Sequence, residues 1–261
     1  MDLKLRGKVA LVSGANGGIG TAIATELARE GVDLCLTARD RGKLEEAAGA
    51  IGKISSRPPA IHVGDLAEPE APSATVAAAI AAFGRLDIVV NCAGETKRGD
   101  LQKLTEDDWS GGFSVKFHGC VRMTRAAWSH LRLTQGTVIT IVGVGSRFGS
   151  AEFAVGGAVN AALLNFTKVM ADIGIRDGVR VNAINPGLIE TERLVRNVER
   201  LMREHSCTRE EAVARMLKPR GTTRFGKPEE VGALAAFLAS PKAAFIQGAI
   251  IDIDGGATPY L

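Results

Sequence analysis

Apolar and polar positions divide this chain into short, nearly continuous apolar runs and longer segments with helical periodicity. Continuous apolar runs are typical of strands covered on both faces. Seven such runs predict strands at residues 8–13, 33–37, 59–63, 86–91, 137–142, 180–185 and 249–253. The periodic segments predict helices at residues 19–30, 41–53, 68–83, 105–132, 151–175 and 228–239.

The regular alternation of strands and helices predicts an α/β fold with a parallel, doubly wound sheet and helices on both faces. The absence of internal repeats and low-complexity linkers favours one domain over residues 1–261. Thr105 and Asp108 have the spacing of a capping box, and Pro228 suits a first helical position. Residues 188–223 form a long, charged connection, which we interpret as a substrate lid; a solvated helical insertion has the same pattern.

Composition narrows the function classes. Apolar residues make up 46% of the chain and charged residues 23%, which indicates a globular protein. The formal net charge of +3 without any basic block argues against nucleic-acid binding, and no apolar run reaches the ~18 residues of a membrane span. The N-terminus lacks a signal-peptide pattern, and isolated cysteines and scattered histidines favour reduced thiols and no metal site. We therefore expect a cytoplasmic protein.

The turn between the first strand and the first helix contains the clearest motif. It reads Gly14, Ala15, Asn16, Gly17, Gly18, Ile19 and Gly20. Glycines permit a tight turn and close backbone approach, and a helix N-terminus presents free N–H groups to a pyrophosphate. Because the motif lies between a strand and a helix, it predicts a dinucleotide site, with Asn16, Gly17 and Ile19 included among its residues.

Several further short motifs follow along the chain. Asn91–Gly94 follow the fourth strand, Asn185-Pro186-Gly187 follow the sixth, and residues 224–230 and 252–256 read RFGKPEE and DIDGG. With Gly14, Gly18 and Gly20, these motifs resemble the short-chain dehydrogenase/reductase family, and particularly bacterial members related to 3-oxoacyl-carrier-protein reductase. The resemblance implies a seven-stranded Rossmann fold, a small-molecule substrate and a homotetramer or homodimer.

The end of the second strand bears on the choice of cofactor. A carboxylate there accepts from the ribose of NAD, whereas an arginine accommodates the 2′-phosphate of NADP. This chain has Ala38 and then Arg39, so we expect NADP(H) to be preferred, with NAD(H) as the alternative; Asp40 is interpreted as a helix cap. The family resemblance adds further cofactor contacts from Asp65, Leu66, Asn91, Ala93, Gly94, Pro186, Gly187, Ile189 and Thr191.

The catalytic set implied by the resemblance consists of an asparagine, a serine, a tyrosine and a lysine. The corresponding positions in this chain hold Lys116, Gly143, Gly156 and Asn160. The only tyrosine is Tyr260, so no tyrosine with a lysine four residues later exists anywhere in the sequence. Replacing a tyrosine and a serine by glycines predicts a cavity or a wider pocket.

Three interpretations remain open. The protein is an oxidoreductase with a different proton donor, for which Lys116 is the best local candidate, because burial can bring a lysine pKa toward neutrality. Alternatively, it binds the cofactor without turnover, as a redox sensor or partner subunit. In the third interpretation, Tyr260 of a neighbouring subunit reaches the active site and supplies the missing tyrosine. Glu95, Ser146, Arg147 and Glu152 are expected on pocket-facing loops, where they are candidates for binding a polar or anionic substrate.

Overall fold

A seven-stranded parallel sheet forms the centre of the molecule, seen here in a computed structural model that describes residues 1–258. The strands, numbered in chain order, are β1 Val9–Ser13, β2 Asp33–Ala38, β3 Ala60–Val63, β4 Ile88–Asn91, β5 Thr137–Ile141, β6 Arg180–Pro186 and β7 Ile250–Ile253. Their order in the sheet is β3-β2-β1-β4-β5-β6-β7, and every neighbouring pair is parallel. This confirms the predicted α/β fold and its sheet.

Helices cover both faces of this sheet. They are α1 Gly18–Arg29, α2 Arg41–Gly52, α3 Ala71–Phe83, α4 Glu106–Gly112, α5 Gly119–Thr134, α6 Ala154–Asp177, α7 Glu192–His205, α8 Arg209–Leu217 and α9 Pro228–Ala239. On one face, apolar side chains of α1, α2 and α9 pack on the sheet; on the other, those of α3, α5 and α6 do so. The strands are therefore buried on both sides, which explains their continuous apolar runs.

Most predicted boundaries are within a few residues of the observed ones, and one helix prediction was wrong. The segment 105–132 is not a single helix, because a π-helical segment, Phe113–His118, separates α4 from α5. Such segments are frequent at functional sites, and this one contains Lys116. The predicted capping box is confirmed, since Thr105 accepts from the backbone of Asp108 and the Asp108 carboxylate accepts from the backbone of Thr105.

The segment predicted to be a lid, residues 188–223, contains α7 and α8. Leu194 and Val198 of α7 are buried, so this helix is packed against the rest of the molecule. Among the described residues, no helix has both the length and the apolar character that a membrane crossing requires.

The strand order reverses between β1 and β4, and this is where open α/β sheets bind ligands. Crossovers from β1 run outward in one direction and those from β4 in the other, which leaves a crevice beyond the carboxyl ends of these strands. The Gly14–Gly20 turn follows β1, and the Asn91–Gly94 segment follows β4. The two motifs are therefore brought to the same crevice by topology.

Candidate active site

The turn after β1 is built by close backbone packing. Gly14 has a φ of +67°, and a Cβ atom there would lie 2.9 Å from Cα of Ala93. A Cβ atom at Gly20 would lie 2.1 Å from the carbonyl oxygen of Gly14. A side chain at Gly14 would therefore push the turn away from the segment after β4, and one at Gly20 would push the start of α1 away from the turn.

The N-terminus of α1 is suited to an anion. Gly17 precedes the helix and offers no capping side chain, and the first turn contains no acidic residue. The first N–H groups of a helix have no partner within the helix and carry the positive end of its dipole. A cradle of this kind fits a pyrophosphate.

Arg39 and Asp65 meet beyond the ends of β2 and β3. Arg39 Nη1 lies 3.7 Å from Asp65 Oδ2, and two-thirds of the Arg39 side chain is exposed to solvent. Asp40 accepts a hydrogen bond of 3.0 Å from the backbone N–H of Lys43, so it caps α2 as interpreted from the sequence. Arg39 is consequently the exposed side chain at this strand end that can reach a ligand, and its long ion pair with Asp65 is a contact that a ligand would compete with.

The remaining residues predicted on this side have mainly structural surroundings. Leu66 is buried, and its Cβ packs close to Gly119. The Asn91 amide donates to Thr124 Oγ1 at 3.1 Å, while its buried Oδ1 has no partner among the described residues. The backbone N–H of Ala93 donates to Ser13 Oγ at 3.2 Å, which ties the segment after β4 to β1.

A cavity of about 380 Å³ brings the predicted turn, the segment after β4 and the loop after β6 together. Ten of the predicted cofactor residues line it, namely Gly14, Gly17, Gly18, Ile19, Gly20, Gly94, Pro186, Gly187, Ile189 and Thr191. Asn16, Arg39, Asp65, Leu66, Asn91 and Ala93 lie outside this lining. Thr191 packs directly over the turn, since a Cβ atom at Gly18 would lie 2.8 Å from its Cγ2.

Lys116 and Asn160 are joined by a hydrogen bond inside the cavity. Lys116 Nζ donates to Asn160 Oδ1 at 2.6 Å and to the carbonyl oxygen of Val142 at 2.7 Å. Asn160 is almost fully buried, and its Nδ2 donates to the carbonyl oxygen of Gly143 at 3.3 Å. An ammonium has three N–H bonds, so two acceptors leave one proton uncommitted.

The electrostatic surroundings of Lys116 favour the neutral amine more than water does. Burial lowers the pKa of Lys116 to about 8, and the positive charge of Arg193 contributes in the same direction. Nearby thiols do not compete as acids or nucleophiles near neutral pH, because burial raises the pKa of Cys92 and of Cys120 to about 12. Lys116 is thus the cavity group placed to exchange a proton near neutrality.

Phe153 occupies the space beside Gly156. A Cβ atom at Gly156 would lie 2.1 Å from the Phe153 ring and 2.6 Å from Thr96 Oγ1. The wider pocket expected from the loss of an aromatic ring at this position is therefore not observed. Gly143 has a φ of +132°, which L side chains rarely adopt, and a Cβ atom there would approach Asn160 Nδ2 to 3.1 Å.

The four polar residues predicted on pocket-facing loops have different positions. Glu95 lines the cavity and forms an ion pair with Arg193 at 3.4 Å. Ser146 is hydrogen-bonded to Asn185 and Gly143, and Arg147 pairs with Asp252 at 3.4 Å. Neither of them lines the cavity, and nor does Glu152. The loop that carries Ser146, Arg147 and Glu152 does face the cavity, through residues such as Gly145, Phe148 and Ser150, but these three residues do not contribute to its lining.

Sequence reasoning missed several residues of the cavity wall. Phe153 and four arginines line it from four separate segments of the chain; the arginines are Arg98, Arg193, Arg196 and Arg220. Phe153 precedes Gly156 by three residues, which is a signal that it shares a helix side with that glycine. The arginines had no recognisable spacing. Tyr260 lies outside the described residues.

Comparison with known proteins matches this chain over nearly its whole length. A family model described as enoyl-(acyl carrier protein) reductase matches residues 14–258. The 3-oxoacyl-[acyl-carrier-protein] reductase FabG of Vibrio cholerae is 33% identical over 97% of this chain and 98% of its own length.

Solved structures agree with the sequence comparison. L-sorbose reductase from Gluconobacter frateurii, complexed with NADPH and L-sorbose, superposes with a TM-score of 0.95 at 29% identity over 100% of both chains. A short chain dehydrogenase from Burkholderia cenocepacia in complex with NADP has a TM-score of 0.85 at 29% identity, covering 97% of this chain and 99% of its own. The chain therefore belongs to the short-chain dehydrogenase/reductase family of NAD(P)-dependent oxidoreductases.

Proposed function

We propose that this protein reduces a small carbonyl or conjugated compound with NADPH and uses Lys116 in place of the proton donor customary in its family. The observation that carries the proposal is the position of the Lys116 ammonium, 2.6 Å from Asn160 inside the cavity beside the glycine turn. Relative to the catalytic set implied by the resemblance, the lysine and the asparagine have exchanged positions. A cation is thereby kept in the cavity, but it is attached to the π-helical segment Phe113–His118 instead of α6.

The residues present fit a dinucleotide. The uncapped start of α1 would hold the pyrophosphate through backbone N–H groups, and Pro186, Gly187, Ile189 and Thr191 would border the nicotinamide end. Asn91, Ala93, Gly94, Asp65 and Leu66 would surround the adenosine side. When bound, the reduced nicotinamide supplies a hydride equivalent, so the protein must orient the substrate and handle the proton.

The exposed guanidinium of Arg39 supports a preference for NADP(H) over NAD(H). Its planar fork suits a phosphate monoester, and the nearby Asp40 is engaged as the cap of α2. Two structurally similar relatives were solved with NADPH or NADP. We therefore assign the 2′-phosphate to Arg39.

Lys116 has the properties that proton donation requires. With a pKa of about 8, its ammonium is mostly protonated at neutral pH and still acidic enough to donate. It would give a proton to the substrate atom that gains negative charge as the hydride arrives, and water would protonate the resulting amine. Asn160 and the Val142 carbonyl fix the direction of the ammonium, and the third N–H bond remains for the substrate.

The test uses purified protein, NADPH and a panel of ketones, enones and quinones. For any compound that is reduced, we expect Lys116→Met and Lys116→Arg to lower kcat by roughly 10²–10⁴-fold, because neither side chain donates a proton near neutral pH. NADPH affinity, measured by calorimetry, should change little. Retained activity in Lys116→Arg would mean that a positive charge, and not an acid, is what the site needs.

The pH dependence tests the same assignment by a different route. Only the ammonium donates a proton, so the rate of reduction should fall as the pH rises through about 8. Asn160→Asp places a carboxylate next to the ammonium and should move this fall to higher pH by roughly 1–3 units. An unchanged profile would exclude Lys116 as the acid.

The other interpretations predict different results. Tight NADPH binding without turnover across the panel would support a redox sensor or partner subunit. Turnover that is lost on removal of residues 259–261 but survives Lys116→Met would support a contribution from Tyr260 of a neighbouring subunit. If the protein bound neither NADPH nor NADH, the proposed dinucleotide site, and with it the proposed function, would be wrong.

A further inference from the structure

Positive charge is concentrated in the lining of the cavity. The cationic side chains that line it are Arg98, Lys116, Arg193, Arg196 and Arg220, against the carboxylates of Glu95 and Glu192. Both carboxylates are already engaged: Glu95 pairs with Arg193 at 3.4 Å, and Glu192 pairs with Arg196 at 3.6 Å. The cavity therefore has a surplus of cations that its own acids do not neutralise.

Arg98 and Arg220 carry this surplus. Among residues 1–258, neither forms an ion pair with a carboxylate. Arg98 is supported by an aromatic ring, since its Cζ lies 4.0 Å from the centroid of Phe153. Arg220 donates to the carbonyl oxygen of Met216 at 3.0 Å, which fixes one nitrogen and leaves the other donors of its guanidinium available.

The arginines are close enough to affect one another. Burial lowers the pKa of Arg98, the charges of Arg193 and Arg220 lower it further, and Glu152 partly opposes them. An arginine stays protonated under all ordinary conditions, so the repulsion remains in the folded protein. Like charges held together by three separate chain segments are unfavourable unless an anion lies between them.

We propose that the substrate carries an oxyanion, a carboxylate or a phosphate, and that Arg98 and Arg220 bind this group while its reducible end lies toward Lys116. The proposal rests on the proposed function for the direction of the substrate, but the oxyanion site itself is independent of turnover. Phe153 has two contacts in this arrangement: its ring occupies the space beside Gly156 and its face holds the guanidinium of Arg98. Planar guanidinium groups suit both carboxylate and phosphate geometry.

The test measures binding to NADPH-loaded protein by calorimetry. The probes are linear oxo acids whose ketone lies two to five carbons from the carboxylate, each paired with its methyl ester; inorganic phosphate forms a separate arm. We expect at least one acid to bind tenfold or more tightly than its ester, because hydrogen bonds to a charged group contribute effects of about 10- to 100-fold. Stronger binding of phosphate than of every acid would assign the group as a phosphate.

Substitution of the two arginines locates the site. Arg98→Met and Arg220→Met keep the aliphatic stem and remove the charge, so each should weaken the preferred anion about tenfold and leave its ester and NADPH unchanged. Arg57→Met is the matched control, since Arg57 also stacks on a phenylalanine, 4.8 Å from the centroid of Phe83, but lies away from the cavity. It should change none of these affinities.

The outcomes separate this inference from the proposed function. Acids and phosphate that bind no better than esters to a protein with intact NADPH affinity would overturn the oxyanion site alone. Equal losses for acid and ester in the arginine variants would do the same, because they indicate a packing effect. Loss of NADPH binding in wild-type protein would instead overturn the proposed function.

Discussion

The two walls of the cavity are built on different principles. On the wall formed by the turn after β1, the backbone supplies the contacts, and the essential residues are glycines whose missing side chains allow close approach. On the wall formed by β5, α6 and the π-helical segment Phe113–His118, side chains supply the contacts: Lys116 donates to Asn160, and Phe153 fills the space at Gly156. A binding site made of backbone groups keeps its geometry only if its glycines are not substituted. A site made of side chains can instead be rearranged by compensating substitutions.

Under the proposed function, this difference explains how the second wall departs from the family pattern without leaving a void. The position where the resemblance implies a tyrosine is a glycine, but Phe153 reaches the same volume from the preceding turn. The positions where the resemblance implies an asparagine and a lysine hold Lys116 and Asn160, and this amine and amide are hydrogen-bonded in the cavity. The changes are therefore coupled, and no one of them can be judged alone.

The largest predicted effect comes from a substitution in the cavity wall that is built from backbone groups. In Gly20→Ala, the new Cβ would lie 2.1 Å from the carbonyl oxygen of Gly14, an atom that cannot move without opening the turn. We expect the free energy of unfolding to fall by about 3 kcal/mol and NADPH affinity to fall about 100-fold. Thermal or urea unfolding and calorimetry measure the two effects.

The control for Gly20→Ala is a glycine at which a new Cβ atom would contact no other atom. Gly49 lies in α2, and a Cβ atom there would meet nothing within 4 Å. Gly49→Ala should raise the unfolding free energy by up to about 1 kcal/mol, because alanine favours helix, and leave NADPH affinity unchanged. If Gly20→Ala behaved in the same way, the close packing of the turn would not matter for binding.

The second prediction tests the coupling on the side-chain wall. Gly156→Tyr should lower the free energy of unfolding by about 2 kcal/mol, since its first side-chain atom overlaps the Phe153 ring. In Phe153→Ala/Gly156→Tyr the overlap is relieved, so the double variant should be more stable than the sum of the single effects by at least about 1 kcal/mol. Additive single effects would show that the ring does not compete for this space.

The same coupling bears on any attempt to rebuild the family's usual catalytic set. Gly156→Tyr with Asn160→Lys is not expected to restore ordinary carbonyl reduction, because Phe153 and Lys116 still occupy the required positions. Changing all four residues together removes both conflicts. Activity in the simple double variant would contradict the geometry described here.

The smallest predicted effect concerns a side chain on the cofactor side. Arg39→Ala should weaken NADPH about tenfold and leave NADH unchanged, because a charge-assisted hydrogen bond to an exposed phosphate is partly screened by solvent. Arg41→Ala, at the start of α2 and paired with Glu45, is the nearby control. Equal losses of affinity for NADPH and NADH would contradict the assignment of the 2′-phosphate to Arg39.

Features that depend on residues close together in the sequence could be predicted, whereas contacts between distant segments could not. The strand runs, the Thr105 capping box and the glycine turn depend on neighbours within a few positions, and the structure bears out each of them. The break at Phe113–His118 was not predicted, because the segment contains no proline or glycine that would signal an interruption of the helix. The pairing of Arg147 with Asp252 was not predicted, because the two residues are more than a hundred positions apart along the chain.

The sequence by itself determined the family, the α/β class and the backbone-built turn, since these follow from local spacing and from motifs in a fixed order. Only the tertiary structure decided what surrounds them. The guanidinium of Arg98 on the Phe153 ring, the ammonium of Lys116 on Asn160, and the presence of Arg98 and Arg220 in the lining of one cavity each join segments that no periodicity relates. Packing between distant segments depends on the direction of side chains in space, and that direction is fixed only when the core closes.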